Sequence, residues 1–174
     1  MTNQLYFAYG SNLCITQMQS RCPDATPVCA LNLPNAVLRF RGWADVAYLK
    51  GGTCPGGLWE ISRHDERTLD AYEGVAHGLY EKRYLKLKVR GEVRECLYYM
   101  MLNTGIMPPS QAYLDVIAQG YRDFGLDLDR LRRVLEHSYR RQRKTPFLRG
   151  RWRRKGMAKF AVLENNPAFE EVSP

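Results

Sequence analysis

The sequence predicts a mixed α+β fold built on a curled or closed sheet, and three observations lead there. Short apolar or alternating runs recur as far as Leu102, punctuated by Gly, Pro and Asn, and read as strands rather than helices. Segments with apolar residues three and four apart lie between and after those runs and read as helices. Turns follow one another so closely that the strands curl back on each other instead of spreading into a wide sheet. With 174 residues, 45% hydrophobic and 25% charged, the chain can bury a sizeable core and fits one globular domain.

Taken in order, Leu5 to Tyr9 are all apolar or aromatic and stop at Gly10, which marks a buried strand entering a tight turn. Ser11 and Asn12 then offer N-cap side chains to a helix from about Leu13 to Arg21. Strand, glycine and helix start together make an anion-binding corner, because glycine admits a ligand close to the backbone and the first helical N–H groups lack internal partners. The same corner also serves as a plain turn, and local pattern does not separate the two. Val28 to Leu33 and Ala36 to Phe40 follow as strands broken at Pro34-Asn35, with another strand over Ala44 to Leu49. Lys50 to Gly57 is a loop by composition, and Leu58 to Ile61 is a strand.

Ser62 opens a helix with Asp65 three residues on, an acidic variant of the capping box, and the helix runs to about Tyr72 before Gly74 ends it. Glu73 sits at that C-terminus. There the negative end of the helix dipole and partial burial beside Tyr72 both disfavour a charged carboxylate, which raises its pKa toward the range a general acid/base needs. A glutamate before a C-cap glycine is also an ordinary surface residue. Leu79 to Val89 and Val93 to Leu102 read as two long strands joined at Arg90-Gly91-Glu92, carrying Tyr80, Tyr98 and Tyr99. Pro108-Pro109 forbids helix, Ser110 then caps one with Tyr113, Leu114, Ile117, Ala118 and Tyr121 on one face, and Gly125 stops it. Leu128, Leu131 and Leu135 form the stripe of a last helix, with Asp127 or Asp129 near its start and its end near Tyr139.

The net charge of +8 is uneven. Residues 1–129 carry 13 basic and 14 acidic groups, whereas residues 130–159 carry 13 and 1. Basicity therefore belongs to the C-terminal region, where Arg140 to Lys144 and Arg149 to Lys155, with one tryptophan, match a nucleic-acid-binding pattern as well as a solvated extension. We divide the chain at 139, with 140–174 as a basic extension. No apolar run reaches membrane-spanning length and Met-Thr-Asn-Gln does not open a signal peptide, so a soluble, cytoplasmic protein is expected, with no membrane partner. Cys14, Cys22, Cys29, Cys54 and Cys96 lack CxxC spacing and are odd in number, which indicates reduced thiols and no metal site. His64, His77 and His137 show no ligand spacing; His77, near Glu73, is an alternative acid/base.

Tyr9-Gly-Ser-Asn-Leu13 at the end of a first strand resembles the signature of the γ-glutamylcyclotransferase family and its plant AIG2-like relatives. Further motifs agree in order: Gly56-Gly-Leu-Trp-Glu60, Leu69-Asp-Ala-Tyr-Glu-Gly74, Tyr80, Tyr99, and Pro108-Pro-Ser-Gln-Ala-Tyr113. The likeness spans about Leu5 to Leu128 and leaves out the basic region. It implies a small closed or nearly closed β-barrel flanked by helices, needing neither metal nor cofactor. It further implies cyclisation of a small γ-glutamyl substrate to 5-oxoproline with release of its amine. Glu73 would carry the proton, Tyr6, Phe7, Ala8, Tyr9, Gly10 and Ser11 would line the substrate site, and Tyr113 and, less directly, Tyr99 would contact substrate. Asn12 completes the motif, by touching substrate or by holding the turn.

Overall fold

A computed structural model describes residues 4–89, 91–102 and 105–144. Its organising strand is β1 (Gln4–Ala8), whose apolar residues leave neither face polar; Leu5, Phe7 and Ala8 are fully buried, as expected of a strand covered on both sides. β2 (Thr26–Phe40) and β3 (Ala44–Ile61) form a long hairpin on one side of it. β4 (Tyr80–Val89) and β5 (Glu92–Met101) form another on the other side. β1 runs antiparallel to β3, with Tyr6 opposite Trp59, and parallel to β5, with Leu5 opposite Cys96, which gives the order β2-β3-β1-β5-β4. The sheet is not closed into a barrel, since no ladder joins β2 to β4 among the described residues.

Two expected interruptions are not strand ends. Lys50 to Gly57 belongs to β3, and β2 continues through Pro34-Asn35. The hairpin register explains both. Pro34 pairs with Thr53 and Ala36 with Tyr48, so Leu49 to Gly52 bulge opposite Asn35, which takes φ +53° and accepts the Gly51 N–H on Oδ1 at 3.0 Å. The glycines beyond the bulge serve close packing rather than turning: a Cβ at Gly56 would lie 2.4 Å from the Ala8 carbonyl oxygen and from the Phe7 ring.

α1 (Ile15–Arg21) follows a short 3-10 turn over Ser11–Leu13. Neither Ser11 nor Asn12 caps it. Cys14 occupies the N-cap position without a side-chain bond, and Asp123 accepts the Ile15 N–H at 2.8 Å. α2 (Arg63–Tyr72) has the expected box, in which Ser62 Oγ accepts from Asp65 N at 3.1 Å and Asp65 Oδ2 accepts from Ser62 N at 3.0 Å. Ser62→Ala should destabilise the protein by about 1 kcal/mol, read as a fall in Tm of a few degrees; an unchanged Tm would contradict a structural role for this cap.

α3 (Gln111–Asp123) opens at Ser110 and ends before Gly125, at φ +61°. It lays Leu114, Ile117, Ala118 and Tyr121 into the core. α4 (Leu128–Lys144) buries Leu131 and Leu135. It continues past the expected end at Tyr139, and no glycine or proline interrupts the sequence before Pro146. Arg140 pairs with Glu136 on this helix at 3.1 Å, while Arg149 to Lys155 lie outside the described residues. Among the described residues no helix is long and apolar enough to cross a membrane.

Candidate active site

The corner at the end of β1 is held tightly from two sides. A Cβ at Gly10 would lie 3.0 Å from the Ala44 Cβ and 3.1 Å from the Tyr113 hydroxyl. Leu13 N donates to Gly10 O at 3.0 Å and Cys14 N to Ser11 O at 3.1 Å, which closes the 3-10 turn and leaves the N–H groups of Ser11 and Asn12 without an acceptor inside it. Both residues are buried.

Their side chains face tertiary partners rather than the helix start, and Asn12 is the hub. Its Nδ2 donates to the Tyr6 hydroxyl at 2.9 Å and to Glu73 Oε1 at 3.0 Å. Its Oδ1 accepts from Arg21 Nη1 at 2.5 Å, so both ends of the amide are used and its orientation is fixed. Arg21 is held in turn. It donates to Gln17 Oε1 and the Tyr72 hydroxyl, each at 2.7 Å, and its guanidinium lies 3.8 Å from the Tyr72 ring centroid.

Glu73 is the C-cap of α2, with helical backbone. Gly74 then takes φ +63°, and a Cβ there would meet Leu79 Cδ1 at 2.7 Å, so the chain reverses at once. The carboxyl is left half-buried, facing the corner of β1. Burial raises its pKa to about 7 and prevails over the lowering effects of the Arg21 charge and the Asn12 hydrogen bond.

These groups border a cavity of about 270 Å³ lined by Tyr6, Tyr9, Gly10, Ser11, Asn12, Trp43, Ala44, Tyr72, Glu73, Leu79, Tyr80, Tyr99, Met101 and Tyr113. Its tyrosines are fixed by their hydroxyls. Tyr9 donates to the Tyr99 carbonyl at 2.6 Å, Tyr99 to Asp70 Oδ1 at 2.7 Å, and Tyr80 to the Ala44 carbonyl at 2.8 Å, while the Tyr113 hydroxyl accepts the Ala44 N–H at 3.3 Å. Burial pushes the Tyr113 phenol up to about 12 and raises Tyr6, Tyr9, Tyr80 and Tyr99 as well, so these walls are neutral dipoles. Glu73 is the one carboxyl among the lining residues, and its pKa places it between charge states at physiological pH.

Of the residues expected at a site, Tyr6, Tyr9, Gly10, Ser11, Asn12, Glu73, Tyr99 and Tyr113 share this cavity. Phe7 and Ala8 do not line it. Strand pleating turns the Phe7 ring toward Gly56, and Ala8, fully buried, pairs with Gly57 of β3. His77 is exposed and outside the lining. Sequence reasoning missed Tyr72, Leu79 and Tyr80 as lining residues although they flank Glu73 and its turn; Trp43, from the β2–β3 turn, and Ala44 and Met101, from β3 and β5, lie far from it in sequence and carried no local signal. Among the described residues no three His, Cys, Asp or Glu side chains converge as metal ligands.

The AIG2-like family model matches residues 54–133. The chain is similar to the γ-glutamylcyclotransferase of Homo sapiens, 31% identical over 138 residues, covering 72% of this chain and 73% of the relative. It is similar to that of Mus musculus, 33% identical over 135 residues, covering 70% and 72%. A solved γ-glutamyl cyclotransferase structure superposes with a TM-score of 0.67 and 25% identity, covering 94% of this chain and 97% of the other.

Proposed function

Because this chain belongs to the γ-glutamylcyclotransferase family, we propose that it closes the γ-glutamyl group of a small amide into 5-oxoproline and releases the free amine or amino acid, with Glu73 carrying the proton. One observation supports this most: the Glu73 carboxyl has one oxygen on Asn12 and a pKa raised to about 7, at a cavity otherwise walled by neutral dipoles. A general base for an ammonium must be ionised in part at neutral pH and basic enough to take a proton, and this carboxyl satisfies both.

No protein nucleophile is needed. The substrate's α-amine attacks its own γ-carbonyl carbon, the ring C–N bond forms, and the bond to the leaving nitrogen breaks. The protons that the attacking nitrogen sheds are those the leaving nitrogen gains, so one carboxyl that takes and returns them is sufficient. Folding the glutamyl chain so that amine and carbonyl meet captures the advantage of an oriented intramolecular reaction. The Ser11 and Asn12 N–H groups serve either the α-carboxylate or the developing oxyanion. Tyr113, beside Gly10, and Tyr99, edge-on to Tyr6, contact the substrate as well. We place the reaction in the cytoplasm, where the five free thiols, four of them buried, stay reduced.

Incubation with γ-glutamyl dipeptides and amides, followed by mass spectrometry, should yield 5-oxoproline in equimolar amount with free amine. Release of glutamate instead, or no product from any member, would contradict the reading. Asn12→Ala should move the acid limb of the rate profile to higher pH, because the Asn12 hydrogen bond lowers the Glu73 pKa. An unmoved limb would mean that Asn12 only holds the turn.

A further inference from the structure

The cavity is polar at its floor and apolar at its mouth. Trp43, Tyr72 and Leu79 are 58%, 48% and 50% exposed, and all three line it. They come from separate elements, the β2–β3 turn, the end of α2 and the approach to β4. Each is held: Arg41 N donates to the Trp43 carbonyl at 2.8 Å, Tyr72 lies under the Arg21 guanidinium, and Leu79 N donates to Gly74 O at 3.2 Å. Three large apolar side chains left in solvent around one cavity mark a surface that gains by covering.

On the cyclisation reading, the glutamyl carbonyl must sit at the floor beside Glu73, so the leaving group points out along this rim. No lysine, arginine or histidine lines the cavity among the described residues. Arg21 already donates to Ser11, Asn12, Gln17 and Tyr72. An α-amino acid leaving group would bring a carboxylate close to the Glu73 carboxylate and, among the described residues, to one cation at the rim, Arg21, both of whose Nη groups are already engaged, whereas an uncharged body would bury apolar surface on Trp43.

We propose that the preferred substrates are γ-glutamyl amides of uncharged apolar or aromatic amines rather than γ-glutamyl amino acids, with Trp43 as the residue that sets this preference. The inference rests on the cyclotransferase reading and names its leaving group.

γ-Glutamyl-phenethylamide and γ-glutamyl-phenylalanine differ only in the leaving group's carboxylate. The amide should show a kcat/KM about tenfold or more higher, and Trp43→Ala should lower that value about tenfold, chiefly through KM. γ-Glutamyl-methylamide, too short to reach Trp43, should change less than about twofold in the same variant. Equal or better turnover of the phenylalanine substrate, or an equal effect of Trp43→Ala on the methylamide, would overturn the proposal. The glutaryl analogues of the two larger substrates lack the α-amine and cannot cyclise, so calorimetric binding to the wild-type protein separates the two readings. Tighter binding of glutaryl-phenethylamide without turnover of any γ-glutamyl compound would count against cyclisation alone; equal binding of the pair would count against the rim preference.

Discussion

Glu73→Gln should reduce 5-oxoproline formation about 10³-fold, within the range of a lost general acid/base, and at the same time make the protein more stable at alkaline pH. The unfolded carboxyl gives up its proton near 4.5, and the folded one keeps it to about 7. Between those values the folded state binds more protons than the unfolded state, so stability falls as pH rises and the full cost is present above about 7. That cost is at most about 3 kcal/mol. Glutamine fills the same space, keeps an oxygen for the Asn12 amide, and carries no charge to bury. Its Tm advantage should therefore be several degrees at alkaline pH and vanish in acid below the unfolded pKa. A variant less stable than wild type at alkaline pH, or one with turnover within tenfold of it, would contradict the placement of an ionised, poorly solvated carboxylate at the centre of the site.

Gly120→Ala should cost about 3 kcal/mol, a fall in Tm of roughly 10 °C. The added Cβ would lie 2.4 Å from Leu13 Cβ and 2.7 Å from both Leu13 C and Cys14 N. These are backbone and near-backbone atoms that cannot swing away, so α3 must separate from the turn over Ser11–Leu13. Activity should fall beyond what stability explains, since that turn carries the Asn12 amide that holds Glu73. Gln119→Ala, exposed on the neighbouring position of α3, should stay within about 0.5 kcal/mol and serves as control. Similar melting curves for the two variants would mean that the helix and the turn are not in the close contact described.

What was legible in the sequence was what local chemistry decides. Ser62 with Asp65, Gly74, the Gly91 hairpin, Ser110 and Gly125 act within a few residues of themselves, and each does what its type suggests. Lys50 to Gly57 was not legible, because Gly51, at φ +76°, lies in a bulge within the strand and Gly56 and Gly57 answer to Ala8, Phe7 and the Phe124 ring, none of them near in sequence. Ser11 and Asn12 were misread as caps for the same reason: Glu73 lies 61 residues away, and no local pattern announces it. The family resemblance named Asn12 and Glu73 in separate motifs without pairing them. It did not supply Trp43, whose place at the rim is set by the turn between two long strands.

The pH dependence of kcat/KM for a γ-glutamyl amide, followed from about pH 5.5 to 8.5 by 5-oxoproline release, tests Glu73 as the proton carrier most directly. With Glu73 as the proposed base its ionised form would be the competent one, so the rate should fall on the acid side with unit slope and a midpoint near 7. The residual rate of Glu73→Gln should show no such limb. A wild-type profile that stays flat through that range, or the same limb in the variant, would show that another group moves the proton.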